Sequence, residues 1–292
     1  MKQVMVVGGT NQIAAYLIPE LLNRRYHVEV VSRAPRPPWI TPNVRLSWQL
    51  HDLAAFPLSG PVERAVYLAP LGLVGQLETA LAPGGRIVCF SSTSVVSKAD
   101  SSSAAERALA AELESGERAV RDLSRLHAGE WTILRPTLVY GAGLDRNLTR
   151  IAASLEKWRV FPLPGSGSGR RQPVHAQDLA RAAAASLERP EAVGKTYTLV
   201  GGTTLTYREM IERIFRSLGR SPRILPLPPA VLRLAVAAAR LLPRWRDITP
   251  AMLDRINQDL VFDSGPARAD LDYQPREFNP TGETWQRLDD RR

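Results

Sequence analysis

Cysteine is almost absent from this chain, histidine and lysine are scarce, and no apolar run is long enough to cross a bilayer. The single cysteine, Cys89, excludes an internal disulfide and a thiolate metal cluster, and its apolar surroundings mark it as packing. The four histidines, His27, His51, His127 and His175, form no HExxH and no paired ligand spacing, so no metal site is expected. No GxSxG elbow occurs either, because the glycines around Ser166 and Ser168 have the wrong phase. The longest apolar stretch, Pro229 to Leu242, carries Arg233 and Arg240 on one face. Its length suits a core-facing helix of a small second lobe, with a membrane surface or a partner as the other use of that face. No signal-peptide pattern precedes the first strand, so the expected compartment is the cytoplasm.

What the chain has in excess is arginine. The net charge is +9, and of 38 basic side chains only Lys2, Lys98, Lys157 and Lys195 are lysines, leaving 34 arginines. They are scattered, without interleaved aromatics, a helix-turn-helix or a zinc-finger pattern. The charge therefore reads as a solvated surface, or as a match to an anionic small molecule, ahead of nucleic acid. With 292 residues the chain can bury a large core in one domain or two lobes.

The stretch from Val4 to Arg33 is a complete strand, turn, helix and strand. Val4 to Val7 is short, apolar and β-branched, as a strand buried on both faces should be. Gly8-Gly9-Thr10 breaks it, and Ile13, Tyr16, Leu17, Leu21 and Leu22 then recur at helical spacing before Val28 to Val31 opens a second strand. That order requires a crossover helix and a parallel sheet. A helix that begins after a tight glycine turn aims unpaired N–H groups and its positive end at one spot, which suits a phosphate. The dinucleotide fingerprint wants three glycines there; here Gly8 holds the first place, Asn11 the second and Ala14 the third. Asn11 tolerates a left-handed turn, yet its side chain takes up space a phosphate would use. A ligand-free structural corner is the other reading of these residues.

The alternation continues. After the proline loop Ala34 to Pro38, strands are predicted at Val44–Trp48, Ala65–Ala69 and Arg86–Phe90, with a helix over Val74–Leu81 stopped by Pro83-Gly84-Gly85. Ser102 to Leu126 is the strongest helix signal, with Leu109, Leu113, Val120 and Leu123 on one stripe. Trp131–Leu134 is the sixth strand. Then come a helix through Leu155, the glycine-rich loop Gly165–Gly169, an alanine-rich helix after Pro173–Asp178, a strand over Thr196–Val200 and a helix over Tyr207–Leu218. The expected fold is α/β, a Rossmann-type doubly wound parallel sheet with a smaller C-terminal α/β lobe. Residues 1–165 form the nucleotide-binding domain and residues 166–292 mainly the second lobe.

In their order and spacing, VVGGTNQIA at the first corner, LAP at 68–70, FSSTSV at 90–95, ILRPTLVYGAG at 133–143, PVHAQDLA at 173–180 and ARADLDYQPREF at 267–278 resemble the extended short-chain dehydrogenase/reductase superfamily. The likeness is to its NAD-dependent epimerase/dehydratase group and atypical members. The resemblance implies an NAD(P)-binding fold whose members often act on nucleotide sugars. Carried over position by position, Gly8, Thr10, Asn11, Gln12 and Ile13 would line the pyrophosphate, Asp52 and Leu53 would reach the adenine, Ala69 and Pro70 would flank the ribose, and Pro136, Thr137 and Leu138 would approach the nicotinamide. Thr93 falls at the family's catalytic Ser or Thr. Ser32-Arg33 stands where an acid would hold the ribose hydroxyls of NAD; an arginine there can meet a 2′-phosphate, which favours NADP(H) over NAD(H), with a plain loop charge as the other reading.

The family's chemistry needs a tyrosine followed four residues later by a lysine, a spacing that puts both on one helix face. None of the seven tyrosines has that lysine, and registering the long helix through Glu117 and Arg135-Pro136 places Leu109 and Leu113 in the two slots. Tyr140 is the remaining proton-donor candidate, below a packing role, and His175 with Asp178 is expected to be a structural hydrogen-bonding pair. Two functions stay open: an oxidoreductase or epimerase acting without the Tyr/Lys pair, on a nucleotide sugar or related small molecule, or a catalytically silent nucleotide-binding scaffold or sensor with a protein partner or as a homodimer.

Overall fold

Seven segments rich in β-branched residues pair side by side, all parallel, and their faces divide the apolar residues between two helical layers. The structure is a computed structural model describing residues 2–58, 60–228, 230–232, 253 and 255–290; the predicted helix over Ala230–Leu242, with Arg233 and Arg240, lies mostly outside the described residues. In chain order the first elements are β1 (Gln3–Val7), α1 (Ala14–Asn23), β2 (His27–Ser32), β3 (Leu46–Leu50), β4 (Val62–Tyr67), a 3-10 segment at Leu71–Leu77 and β5 (Leu81–Phe90). They are followed by α2 (Ser94–Ser97), α3 (Ala104–Leu126), β6 (Glu130–Pro136), β7 (Val139–Tyr140), α4 (Leu148–Trp158) and β8 (Phe161–Pro164). The remainder comprises β9 (Arg170–Arg171), β10 (Val174–His175), α5 (Ala176–Ser186), β11 (Lys195–Leu199), β12 (Leu205–Thr206), α6 (Tyr207–Ser217), β13 (Ile224–Leu227) and the helices Gly265–Leu271 and Gly282–Trp285.

The sheet order is β11-β6-β5-β4-β1-β2-β3. From β1 the chain works outward to β3, then returns to the other side of β1 and works outward again. The point of reversal lies between β1 and β4, the place where open α/β sheets form a crevice beyond the carboxyl ends of the strands. Alternation along each strand supplies two cores. Val4, Val6, Val28, Val30, Val66, Val88 and Leu134 face α1 and α5, while Met5, Val7, Val31, Ala65, Tyr67, Ile87 and Ile133 face α3 and the 3-10 segment. The expected Rossmann-type sheet is therefore present.

Two local expectations change. The segment after β4 is a 3-10 helix rather than an α-helix, since Gly72 and Gly75 lower helix propensity and Leu71 packs directly under Gly116 of α3, where any Cβ would lie 2.4 Å from Leu71 Cβ. Pro83-Gly84-Gly85 does not stop a helix; it forms an irregularity inside β5, whose pairing with β4 jumps from Val62–Leu81 to Arg64–Arg86. The stripe of α3 is also rotated from expectation. Val120 and Leu123 are buried as predicted, but Ala110, Gly116 and Glu117 complete that face, whereas Leu113 is half-buried and Leu109 is 38% exposed.

Glu117 is the deliberate polar member of this face. Its carboxylate, 1% exposed, takes a two-pronged bond from Arg135 of β6 at 2.7 and 2.5 Å and a further contact from Arg121 at 3.3 Å. A second lobe forms around Tyr140, Leu148, Leu155, Met210, Ile214, Phe215, Phe278 and Trp285, while α5, β11 and Ala267–Tyr273 pack back into the first core. Asp178, at the start of α5, ties down the segment after the Gly265–Leu271 helix by accepting from the Arg276 backbone N–H at 3.0 Å and from its guanidinium at 2.9 Å.

Burial pushes the Glu117 carboxyl up, but the Arg135 fork and Arg121 outweigh it and hold the group below the ordinary carboxyl value of 4.5. A depressed native pKa contributes stability that is complete above the unfolded value and is lost as pH falls through the native one. Glu117→Ala should therefore cost about 3 kcal/mol in urea denaturation at neutral pH. The gap between wild type and Glu117→Gln should narrow as the pH is taken progressively below 4.5.

Candidate functional site

The crevice between β1 and β4 begins with a glycine that must be a glycine. Gly8 has φ +97°, and a Cβ on it would lie 3.0 Å from both Leu68 C and Ala69 N, so the turn after β1 is pressed against the end of β4. Its N–H bonds back to Val31 O at 2.9 Å, which fastens the same turn to the end of β2. Gly9 is equally enclosed: a Cβ there would meet Val30 Cγ1 at 2.3 Å and the indole of Trp48 at 2.6 Å. Trp48 in turn donates its indole N–H to Ala34 O at 3.0 Å, closing the loop after β2 over the corner.

Asn11 takes a role that its steric description did not reveal. Its Oδ1 accepts the N–H groups of Ile13 at 3.0 Å and Ala14 at 2.9 Å, and its Nδ2 donates to Leu68 O at 3.3 Å. The residue caps α1 from three positions upstream of Ala14, a recognisable Asn cap signature. Gln12 follows it with Oε1 buried and without a donor among the described residues, Thr10 is exposed, and Ile13 is buried in the core.

The other predicted positions are drawn to the same strand ends. Ser32 is buried and its Oγ accepts the Ala34 N–H at 3.3 Å, while Arg33 beside it is exposed and has no hydrogen bond or ion pair among the described residues. Asp52 is exposed and caps its own turn through the Ala54 N–H at 3.0 Å. Leu53 points into the core beneath the sheet, which leaves its backbone as the part that can face a ligand. Ala69 is half-buried and Pro70 exposed at the lip beside Gly8. Pro136, Thr137 and Leu138 are bonded on all sides: Pro136 O receives the Thr93 N–H at 3.1 Å, Thr137 Oγ1 donates to Gln172 O at 2.5 Å, and Leu138 O receives the Val174 N–H at 2.9 Å.

The two catalytic candidates are less free than the sequence suggested. Thr93 is 8% exposed and its hydroxyl donates to Pro136 O at 3.2 Å, so its one proton is directed into β6. Tyr140 is 2% exposed, edge-on to His175 and Phe278 with centroids 5.1 and 5.0 Å away, and burial pushes its phenol well above the ordinary value. A buried phenol with its proton so firmly held packs well and ionises poorly. His175 and Asp178 each hold structural bonds at the start of α5. His175 Nδ1 accepts the Gln177 N–H at 3.1 Å and caps α5, while Asp178 belongs to Arg276, a partner nearly a hundred residues downstream that no local pattern discloses.

A methyl group at position 8 tests how tightly the corner is built. Gly8→Ala should lower stability by about 2 kcal/mol, read as a fall in thermal midpoint, through both the left-handed backbone and the contact with Leu68 and Ala69.

Comparison with known proteins places this geometry. Residues 76–200 match the sequence profile of the NAD dependent epimerase/dehydratase family. Among curated proteins, the chain is 33% identical over 160 residues to the mitochondrial NADH dehydrogenase [ubiquinone] 1 alpha subcomplex subunit 9 of Arabidopsis thaliana, a match covering 51% of this chain and only 39% of that protein's length. Among solved structures, it is similar to UDP-glucuronic acid 4-epimerase from Bacillus cereus in complex with NAD, at a TM-score of 0.71 and 17% identity over 98% of this chain and 96% of the other. It is also similar to an epimerase of Methanothermobacter thermautotrophicus, at a TM-score of 0.70 and 18% identity over 98% and 90%. The chain thus shares the fold of these epimerase structures, and within it residues 76–200 match the NAD dependent epimerase/dehydratase family.

Proposed function

We propose that this chain binds a nicotinamide dinucleotide at the β1–β4 crevice, NADP(H) in preference to NAD(H), and that it serves as a nucleotide-holding scaffold or sensor rather than as a Tyr/Lys-driven catalyst. The observation that carries the binding reading is the corner itself. A left-handed Gly8, the start of α1 and the carboxyl ends of β1, β2 and β4 meet at the reversal of strand order, where open α/β sheets take nucleotides. Around it, Thr10 to Ile13 would hold the pyrophosphate, Asp52 and the Leu53 backbone the adenine side, Ala69 and Pro70 the ribose, and Pro136 to Leu138 the nicotinamide side. The bound group would supply hydride chemistry; the chain's own residues orient it and shield it from water.

The reading without turnover is supported by the donors. Leu109 and Leu113 stand at the spacing where a Tyr and a Lys would act, Thr93 spends its proton on Pro136 O, and Tyr140 is enclosed by rings. The NADP(H) preference rests on Arg33, an exposed guanidinium without an acidic partner among the described residues, at the end of β2. A second reading, oxidoreductase or epimerase turnover on a nucleotide sugar or related small molecule, draws on the similarity in fold to the UDP-glucuronic acid 4-epimerase across both lobes.

Titration with NADPH and NADH, followed by nicotinamide fluorescence, tests the binding reading, and no change with either would overturn it. Arg33→Ala should weaken NADPH about tenfold or more and leave NADH unchanged, as loss of a charge-assisted phosphate contact does. Incubation of the NAD-loaded protein with UDP-glucuronic acid should give no new sugar by NMR; conversion would establish the second reading.

A further inference from the structure

The first N–H groups of a helix have no partner within the helix, and they bind whichever acceptor reaches them. In this protein the acceptor is already in place. Asn11 Oδ1 holds the N–H groups of Ile13 and Ala14 at 3.0 and 2.9 Å, and Nδ2 bonds across the crevice to Leu68 O at 3.3 Å. The carboxamide therefore spans the point of strand-order reversal from α1 to β4, with its oxygen against the positive end of the helix, where an anion's oxygen would sit.

Nor can the corner relax around an incoming phosphate by moving its backbone. Gly8 is wedged against Leu68 and Ala69, and Gly9 against Val30 and Trp48, so the turn is clamped from both sides. Rotation of the Asn11 side chain is the movement left. Beside it, Gln12 Oε1 is buried without a donor among the described residues, an acceptor that a ribose hydroxyl or a carboxamide could satisfy.

We propose that the Asn11 side chain is a built-in competitor for the pyrophosphate that the backbone of Thr10 to Ile13 would hold: its carboxamide caps α1 in the free protein and must swing out for a dinucleotide to bind. This rests on the dinucleotide-binding reading above and adds to it a residue that sets affinity. It predicts opposite signs for two quantities across one series of variants. Asn11→Gly frees the helix N–H groups and removes the obstruction, so it should bind NADPH roughly fivefold to tenfold more tightly while the unliganded protein melts at a lower temperature. Asn11→Asp keeps the acceptor for the Ile13 and Ala14 N–H groups and adds a negative charge at the helix start while giving up the donation to Leu68 O, so it should bind NADPH more weakly. Asn11→Ala provides the same release as glycine if the glycine variant does not fold.

The experiment is calorimetric titration of wild type and each variant with NADPH and with NADH, alongside thermal denaturation without ligand. Tighter binding by the glycine or alanine variant together with lower unliganded stability supports the competitor. Equal affinity for wild type and the released variants overturns it while leaving dinucleotide binding intact, and weaker binding by them overturns it by making Asn11 a ligand. Failure of every protein in the series, wild type included, to bind either dinucleotide would instead remove the reading on which the competitor rests.

Discussion

The structure depends on how little room there is where β1 turns into α1. Gly8 touches the end of β4, bonds to the end of β2 through Val31 O, and is followed by Asn11, which bonds to Leu68 O. One turn thereby fixes the three central strands relative to one another. The reversal of strand order follows from the same turn: the strands on either side of β1 are reached by separate excursions of the chain. Because the same residues set the strand register and face the point of reversal, the proposed nucleotide site and the folding of the sheet draw on one set of contacts.

The arginine excess takes its meaning from a second constraint, the joining of distant segments. Several guanidiniums are spent on backbone carbonyls: Arg171 bonds to the carbonyls of Arg170, Gln258 and Arg255, Arg213 to Phe278 O, and Arg189 to Asp270 O. A planar fork with five donors can satisfy several carbonyls at once, which a lysine cannot. Desolvation lowers the Arg171 and Arg86 pKa values accordingly, yet both guanidiniums remain within hydrogen-bonding networks. Others meet buried acids, as in Arg135 with Glu117, Arg276 with Asp178 and Arg255 with Glu106. The expectation of a simply solvated basic surface is thus too plain: part of the charge is internal fastening between the sheet and the second lobe.

The sheet was legible because each strand carries its own signal. Val4–Val7, Val28–Val31 and Arg86–Phe90 are apolar and β-branched, and glycines or prolines bound them, so local pattern and tertiary role agree. Pattern failed where a neighbour decides. Gly116 reads as a weak helix residue, but it is the gap that admits Leu71, and this contact rotates the buried face of α3 away from Leu109. Asp178 reads as a partner for the nearby His175, whereas Arg276 reaches it from the far end of the chain. In the candidate site, the positions were readable as a line of strand ends, but the directions of their protons were not. A hydroxyl at position 93 says nothing in sequence about whether it donates outward or, as here, into Pro136 O.

Those directions separate holding a nucleotide from transforming its partner. Stabilising a developing charge requires donors fixed toward the place where the charge appears. Here the fixed donors point inward: Thr93 to β6, the Ile13 and Ala14 N–H groups to Asn11, and Thr137 to Gln172 O. Each of these donors is satisfied before a ligand arrives, so a ligand must break a bond to gain one of them. Such an exchange can still favour binding, because a dinucleotide offers several contacts for each that it displaces. It gives no comparable advantage to a transition state, whose added charge would need a donor not already engaged.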